Sequence, residues 1–290
     1  MKKIVLFMII AVVSIYASVE ELTDKNFETT IKNKNQTVVM FFAPWCGACC
    51  AMKPDYNATE KDFGKETNFT LLNTDENGKS TQKYKIESLP TTIIFKNGKE
   101  IKRKVGSLDR DEIKILVAPD KMVKEYSKKC KEGDAKICNG LGMLYREGED
   151  VKQDLPKARP FYSMCCNEKE FIGCNDLALM YGNAEGGKRD ATLAIKYYGM
   201  SCDGNESIGC FNLGGIYRYG WYGVEKKSSK ALAFYDKACS LGDEEACYEL
   251  SVMYEEGLGI EKDSKKSKEL LKYACDEGFE EACDKIDSIK

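Results

Sequence analysis

Ten of the fourteen cysteines in this chain of 290 residues recur as five pairs of a single spacing. The two cysteines of a pair are eight residues apart, and successive pairs follow at intervals of 36, 36, 37 and 36 residues. A fixed period of this length is typical of repeat proteins, in which each repeat buries its apolar face by stacking on its neighbours. From about Lys121 onward the chain is therefore predicted to form a solenoid.

The residues between the cysteines predict two helices in each repeat. In four repeats leucine and tyrosine lie three and seven positions after the second cysteine, as Leu250 and Tyr254 follow Cys247, and this spacing marks one face of a helix. Glycines then end that helix, and a second periodic segment begins, as with Ala194 and Tyr198. An all-α (α/α) array of helix pairs is expected.

Each cysteine pair is expected to be a disulfide that joins one repeat's second helix to the next repeat's first helix. The chain has no histidine, which excludes Cys2His2 zinc sites, and five sets of two thiols suit disulfides better than four-ligand metal sites. In the unfolded-state model each such bridge contributes roughly 2.5 kcal/mol. The predicted pairs are Cys130–Cys138, Cys166–Cys174, Cys202–Cys210, Cys239–Cys247 and Cys275–Cys283.

Residues 242–254, which read Gly-Asp-Glu-Glu-Ala-Cys-Tyr-Glu-Leu-Ser-Val-Met-Tyr, resemble the Sel1-like repeats of cysteine-rich secreted bacterial proteins. The resemblance spans residues 121–290 and implies a disulfide-linked solenoid used mainly as a binding surface. Some family members are described as penicillin-binding or β-lactamase-like, so β-lactam binding is one alternative function. A Ser-x-x-Lys pattern at Ser80 and Lys83 lies outside the repeats and has no Lys-Thr-Gly partner, so we attribute it to chance.

An unbroken apolar run at residues 37–43 leads into Pro44-Trp45-Cys46-Gly47-Ala48-Cys49. The run predicts a central buried strand. A helix that opens at the first cysteine would hold that thiol where the helix macrodipole favours the thiolate, which is the attacking species in disulfide exchange. We therefore predict Cys46 as the nucleophile and Cys49 as the resolving thiol, with no cofactor or metal beyond this redox-active pair.

These residues resemble a thioredoxin-like domain, and the resemblance covers residues 18–118. It implies an α/β fold in which Trp45 flanks the active site and Leu89-Pro90 forms a cis-proline turn that contacts the substrate. At the positions where the family often buries an acid and a lysine, this chain has Met40 and Leu71. The absence of that proton relay argues against fast reductase turnover.

Residues 1–17 predict a secretory signal peptide, with Lys2-Lys3, an apolar run to Ile15 and a small residue, Ala17, before the cleavage point. The run is shorter than the roughly 20 residues that span a bilayer, so we expect cleavage and no stable membrane span afterwards. Export would place the protein in the periplasm or outside the cell, where disulfides persist. The net charge of −3 offers no basic field, so nucleic acid is not an expected partner.

Several smaller signals remain open at this level. Cys50 and Cys165 have no partner in the repeat pattern, and a link between them is one alternative. Trp221-Tyr222 lies in a predicted loop and suits either a partner contact or packing on the repeat. Three asparagines match the acidic-x-Asn-x-Ser/Thr pattern of bacterial N-linked glycosylation, and they are Asn57, Asn68 and Asn205.

Together these features predict an exported thiol–disulfide oxidoreductase that acts on client proteins with cysteines and is reset by a redox partner protein. The solenoid would bind clients or partners. The alternatives are a non-enzymatic protein-binding adaptor and a β-lactam-binding repeat protein. The sequence leaves open whether the enzyme oxidises, isomerises or reduces its clients.

Overall fold

The computed structural model describes residues 19–33 and 35–288, so the predicted signal peptide at 1–17 lies outside the described residues. The chain divides into two compact units, and the division falls between Pro119 and Asp120. The first unit is α/β and the second is all-α. The predicted fold class is therefore confirmed.

The first unit is a mixed sheet with the strand order β1-β3-β2-β4-β5. Strands β1, β3 and β2 are parallel, whereas β4 is antiparallel to both β2 and β5. Helices lie between and after the strands. In chain order the elements are β1 (Glu20–Leu22), α1 (Phe27–Asn33), β2 (Gln36–Phe42), α2 (Gly47–Phe63), β3 (Asn68–Asn73), α3 (Gly78–Lys83), β4 (Thr91–Lys96), β5 (Lys99–Val105) and α4 (Arg110–Val117).

Strand β2 lies at the centre of this sheet and is buried on both faces after its first residue. Val39 and Phe41 pack in one cluster with Phe27 of α1. Successive side chains of a strand point to opposite faces, so Met40 and Phe42 face the other side, which α2 covers. The burial of both faces explains the continuous apolar run in the sequence.

The second unit is a succession of helices, and from its second helix onward each packs on the next along the chain. The loop after its sixth helix contains a short 3-10 turn, Trp221–Gly223. The helices are α5 (Pro119–Lys131), α6 (Ala135–Glu147), α7 (Leu155–Asn167), α8 (Phe171–Gly182), α9 (Ala191–Asp203), α10 (Ser207–Tyr219), α11 (Ser228–Ser240), α12 (Glu244–Glu256), α13 (Ser264–Asp276) and α14 (Glu280–Ser288).

Tyrosines are the largest fully buried side chains in the interior of the repeats. Three buried tyrosines each follow directly after another aromatic residue in the sequence. That aromatic residue stacks on a tyrosine near the end of the preceding helix, with ring centroids 5.7 to 5.8 Å apart and the two rings nearly parallel. The periodicity predicted one aromatic on each helix but not this stacked partner. The buried tyrosines are Tyr162, Tyr198 and Tyr235, and the stacked pairs are Tyr145–Phe161, Tyr181–Tyr197 and Tyr217–Phe234.

A disulfide joins the end of one helix to the start of the next at each cysteine pair of the solenoid. The Cα atoms of the paired cysteines are 4.6 to 4.8 Å apart, which shows that every junction has nearly the same geometry. The bonds are Cys130–Cys138, Cys166–Cys174, Cys202–Cys210, Cys239–Cys247 and Cys275–Cys283.

Candidate redox site

Cys46 is the N-cap residue of α2 and is bonded to Cys49 by a disulfide. The backbone N–H of Cys49 donates to the sulfur of Cys46 at 3.1 Å. That N–H is one of the donors that a helix leaves free in its first turn, so it and the helix macrodipole stabilise negative charge on this sulfur. Cys46 is 6% exposed and Cys49 only 1%, so an approaching sulfur reaches Cys46 more easily.

Trp45 flanks the disulfide and is the most exposed large apolar side chain among the described residues, at 73%. Its indole N–H donates to the carboxylate of Asp75, with distances of 3.0 and 3.3 Å to the two oxygens. This hydrogen bond fixes the ring beside the cysteines although most of the ring is in solvent. Sequence reasoning missed Asp75, because only the pairing of β3 with β2 brings it to this edge of the sheet.

The peptide bond between Leu89 and Pro90 is cis, and Pro90 directly precedes β4. Thr91, the first residue of β4, pairs with Phe41 near the end of β2. Because β2 runs into the Cys46 loop, this register brings the cis-proline turn and the disulfide to the same end of the sheet. The carbonyl of Pro90 accepts from the N–H of Gly106 at 2.8 Å.

Below the disulfide, on the sheet face that α2 covers, the groups are apolar. Met40 and Leu71 are paired in register on neighbouring strands, and both are buried. The nearest buried hydroxyl on α2, that of Tyr56, lies between the carbonyls of Val38 and Thr70 at 2.9 Å from each. Burial raises the pKa of Tyr56, so this phenol does not relay protons near neutral pH. Among the residues that the structure describes, the site therefore has no buried acid or base under Cys49.

The two cysteines outside the disulfides have opposite surroundings. Cys50 is exposed, and its sulfur lies 3.9 Å from the carbonyl oxygen of Pro44. Cys165 is buried, and this burial, with help from the Glu170 carboxylate, raises the pKa of its thiol to about 12. The two thiols are not bonded to each other, so the alternative of a Cys50–Cys165 link is wrong for this structure.

The candidate acceptor asparagines also differ in their surroundings. Asn57 is exposed on α2, whereas the amide nitrogen of Asn68 is buried at the start of β3. Asn205 is exposed in the turn between α9 and α10, with φ of 66°. Of the three, Asn205 is the one that is exposed in a turn.

The first unit thus has the sheet order, the helix-capping CxxC disulfide and the cis-proline turn of a thioredoxin-fold protein. The thioredoxin family model matches residues 18–118. The Sel1 repeat model matches residues 136–166, 172–206, 207–243 and 244–279. The chain therefore belongs to the thioredoxin family through its first domain, and Sel1 repeats follow that domain.

Individual relatives agree with this assignment. The chain is 33% identical over 97 residues to a thioredoxin of Alicyclobacillus acidocaldarius subsp. acidocaldarius, a match that covers 33% of this chain and 92% of the relative. It is 37% identical over 94 residues to a thioredoxin of Chlorobaculum thiosulfatiphilum, covering 32% of this chain and 87% of the relative. These relatives support a thiol–disulfide oxidoreductase activity.

Among solved structures, the chain resembles a protective antigen of uropathogenic Escherichia coli strains that displays an SLR fold. The TM-score is 0.53 at 26% identity, and the match covers 56% of this chain and 34% of that protein. The Sel1 repeats indicate a protein-binding role. Within the described residues no helix combines the length and the apolar character that crossing a membrane requires.

Proposed function

We propose that the protein is an exported thiol–disulfide oxidoreductase that exchanges disulfides with client proteins, which its Sel1 repeats hold. The observation that carries the proposal is the Cys46–Cys49 disulfide across the first turn of α2, with Cys46 as the N-cap residue. The sulfur that receives the backbone N–H is also the more exposed of the two, so one atom is both activated and reachable.

The reaction consists of two exchanges. In the reducing direction the Cys46 thiolate attacks one sulfur of a client disulfide, forms a mixed disulfide and releases one client thiolate. The Cys49 thiolate then attacks the Cys46 sulfur, which restores Cys46–Cys49 and releases the second client thiolate. The reverse sequence oxidises a client dithiol, and in either direction a redox partner protein of opposite oxidation state resets the pair.

Other residues around Cys46 support contact with an extended client chain. The exposed ring of Trp45, held by Asp75, offers a flat apolar surface beside the mixed disulfide. Leu89 and Pro90 lie at the same end of the sheet, where backbone groups before β4 can pair with an extended strand.

Export to the periplasm or the exterior is part of the proposal. The disulfides of the solenoid persist in oxidising compartments and are rare in the reducing cytosol, which agrees with the predicted signal peptide at residues 1–17. If the export route includes N-linked glycosylation, we expect Asn205 to be modified before Asn57 or Asn68, because its side chain is exposed in a turn.

The test is turnover in insulin reduction and in reactivation of scrambled ribonuclease. Cys46→Ser should reduce the rate to that of the small-molecule thiol alone, since no other thiol can form the first mixed disulfide in the same place. Cys50→Ser is the matched control, because it removes the adjacent exposed thiol of the same helix and leaves the disulfide intact. An unchanged rate in Cys46→Ser would defeat the proposed nucleophile.

A non-enzymatic adaptor is the second candidate, and the apolar pair Met40 and Leu71 favours it. Without a buried acid, deprotonation of Cys49 depends on solvent, and exchange through the pair is slow. A redox titration of Cys46 and Cys49 separates the two candidates. A reversible couple within the range of thioredoxin-like proteins supports the enzyme, and a pair that resists mild reductants supports the adaptor.

A further inference from the structure

One junction of the solenoid differs from its neighbours at the position eight residues after the second cysteine of the repeat. Arg146 and Arg218 occupy this position in two repeats, and each pairs with a carboxylate of the following repeat. The guanidinium of Arg146 lies 2.9 Å from the carboxylate of Glu185 and 3.5 Å from that of Asp176, and Arg218 contacts Glu249. The repeat between them has Gly182 at this position.

Because residue 182 is glycine rather than arginine, a buried tyrosine of this repeat also lacks an arginine partner. Arg146, near the end of α6, also interacts with the hydroxyl of Tyr162, the buried tyrosine of the next helix, α7. At the next junction Gly182 and Asn212 stand where the arginine and the carboxylate are found on either side. The corresponding tyrosine, Tyr198, therefore has no arginine from the equivalent position, and the volume above Gly182 holds no side chain of residue 182 itself.

The side chain of Tyr222 fills this volume. A Cβ atom built on Gly182 would lie 2.3 Å from Cζ and 2.6 Å from the hydroxyl oxygen of Tyr222, so the phenol rests directly on the glycine. Tyr222 has φ of 59°, between Gly220 at 76° and Gly223 at 80°. We call residues 220–223 the strap, and the space between Gly182 and Tyr198 that Tyr222 occupies the Gly182 recess.

The strap leaves a polar group of the recess unsatisfied. Tyr198 is 1% exposed, and its hydroxyl has no hydrogen-bond partner among the described residues. Burial raises the pKa of Tyr198, and the neighbouring Tyr222 phenol raises it further. A buried hydroxyl without a partner is unfavourable, and so is the left-handed backbone at a tyrosine. Tyr222 therefore fits the recess in size but imperfectly in chemistry.

We propose that the Gly182 recess is a binding site for a tyrosine side chain of a partner polypeptide, and that Tyr222 closes it when no partner is bound. A tyrosine from an extended chain can enter without the left-handed backbone of the strap and can bring its hydroxyl to that of Tyr198. The inference rests on the proposed role of the solenoid as a binding surface and names one side chain that this surface selects.

The chemistry of the recess favours a phenol over a guanidinium. An arginine at this place in the neighbouring junctions pairs with Asp176 or Glu249, whereas the equivalent residue here is the neutral Asn212. A buried cation would lack its counterion at this position. A phenol is neutral, its ring covers the glycine, and the volume is already the size of one, as Tyr222 demonstrates.

Exposed aromatic rings border the strap and offer area for the residues that flank the bound tyrosine. Tyr219 and Trp221 are 42% and 40% exposed, and their rings stack with centroids 5.7 Å apart. The Trp221 ring lies flat on Gly215, where a Cβ atom would come within 2.3 Å of it. Because Trp221 is the residue directly before Tyr222, its fluorescence should change when Tyr222 moves.

The experiment is a fluorescence titration of the full chain with N-acetyltyrosinamide. The chain has two tryptophans, so Trp45→Phe leaves Trp221 as the only one, which is excited where tyrosine does not absorb. We expect a saturable change of Trp221 emission, with a dissociation constant about tenfold lower in Tyr222→Ala, because the competing internal ring is gone. N-acetylphenylalaninamide should bind several-fold more weakly, since it leaves Tyr198 without a partner.

The control is Gly182→Arg combined with Tyr222→Ala, which places the arginine of the neighbouring repeats in the recess without a clash against Tyr222. It should abolish the response while circular dichroism shows the same helix content. A saturable response that persists in this control would overturn the proposal, and so would no response in Tyr222→Ala. Tighter binding of N-acetylargininamide than of N-acetyltyrosinamide would overturn the choice of tyrosine. Because no redox reaction is measured, these outcomes are independent of the insulin assay.

Discussion

The two units of this protein use the same covalent bond in opposite ways. In the thioredoxin domain, Cys46 and Cys49 are three residues apart and their disulfide closes within the first turn of one helix. In the solenoid, every paired cysteine is eight residues from its partner, and the bond connects two helices. Position relative to the helices, rather than the chemistry of sulfur, separates the proposed exchange disulfide from the structural ones.

The difference follows from what each bond holds. When Cys46–Cys49 opens, helix α2 keeps its backbone hydrogen bonds, such as that from Cys50 N–H to the Cys46 carbonyl at 3.1 Å. When a bond of the solenoid opens, two helices lose a covalent link and the unfolded chain gains freedom. An exchange disulfide must open at little structural cost, and a structural one must not open at all.

The largest expected effect is the loss of a solenoid disulfide. Cys202→Ala with Cys210→Ala should lower the solenoid's free energy of unfolding by about 2.5 kcal/mol, because a loop of this size is no longer closed in the unfolded chain. Insulin reduction should stay unchanged. Denaturant unfolding followed by circular dichroism measures the first quantity, and turnover measures the second.

The matched variant for that comparison is Cys46→Ala with Cys49→Ala, which should abolish insulin reduction and leave the solenoid's unfolding transition where it was. If the solenoid pair could be removed without loss of stability, or if its removal also stopped exchange, the division of labour between the two kinds of disulfide would be wrong.

The second prediction concerns how the unpaired Cys165 is accommodated beside a structural disulfide. A Cβ atom on Gly173 would lie 2.0 Å from the sulfur of Cys165, so Gly173→Ala should destabilise the solenoid by about 2 kcal/mol. Cys165→Ala should rescue that variant, because the later repeat has Ala238 and Ala246 at the equivalent positions. Thermal unfolding of the single and double variants measures the coupling.

Gly140→Ala is the control for this prediction. Gly140 also lies in a first helix, but a Cβ atom there meets nothing within 4 Å among the described residues, so alanine should stabilise α6 by up to about 1 kcal/mol. Equal destabilisation at both glycines, or additive effects of Gly173→Ala and Cys165→Ala, would contradict the steric explanation.

Local patterns predicted both folds. The cysteine period and the spacing of Leu250 and Tyr254 predicted the helix pairs, because a helix face is set by residues within one or two turns of each other. The apolar run before Cys46 predicted the central strand, because a strand buried on both faces is apolar along its whole length. The same local context placed Cys46 at the start of a helix. These predictions needed no knowledge of which distant residues meet.

The features that the sequence did not reveal depend on distant residues. Asp75 reaches Trp45 only through the register of β3 with β2, and Tyr222 reaches Gly182 across 40 positions of the chain. The sequence left Trp221-Tyr222 between partner contact and packing on the repeat. In the structure both rings pack on glycines, Tyr222 on Gly182 and Trp221 on Gly215. The packing on Gly182 could have been predicted only by noticing that the adjacent repeats have an arginine where this repeat has glycine.

The third prediction compares the ease of reduction of the two kinds of disulfide. The redox-active pair of thioredoxin has a potential near −270 mV, and those of related thioredoxin-fold proteins are higher, whereas structural disulfides of secreted proteins typically lie below about −300 mV. In redox buffers, Cys46–Cys49 should therefore open at a potential at least about 30 mV less reducing than any solenoid pair, which corresponds to about tenfold in the equilibrium constant. Alkylation and peptide mass mapping measure both.

Cys165 serves as an internal check on that experiment. Its thiol pKa is raised to about 12 by burial, so at neutral pH it stays protonated and should neither be alkylated nor exchange with Cys166–Cys174. Cys50 is exposed and should be alkylated in the native protein. Reduction of a solenoid pair before Cys46–Cys49 would remove the distinction between the two regions.

The smallest expected effect is that acid changes the two units in opposite directions. In the thioredoxin domain, the hydrogen bond from Lys83, with that from Tyr84, holds the pKa of Glu28 below its usual 4.5. This stabilisation is present above about pH 4.5 and disappears as the pH falls through the lower folded-state pKa. Glu28→Gln should therefore cost about 0.5 kcal/mol at neutral pH, the scale of a partly exposed ion pair, and nothing in strong acid.

In the solenoid, burial raises the pKa of Asp176 above its usual 3.8 despite the opposing charge of Arg146. A raised carboxyl pKa gives stability that is complete below pH 3.8 and is lost as the pH rises through the folded-state value. Asp176→Asn should thus stabilise the solenoid at neutral pH, by less than about 1 kcal/mol, and have no effect in strong acid. Thermal unfolding of both variants across this pH range gives the two signs. Shifts of the same sign would show that burial does not dominate at Asp176, and that the two units do not differ in how they hold charge.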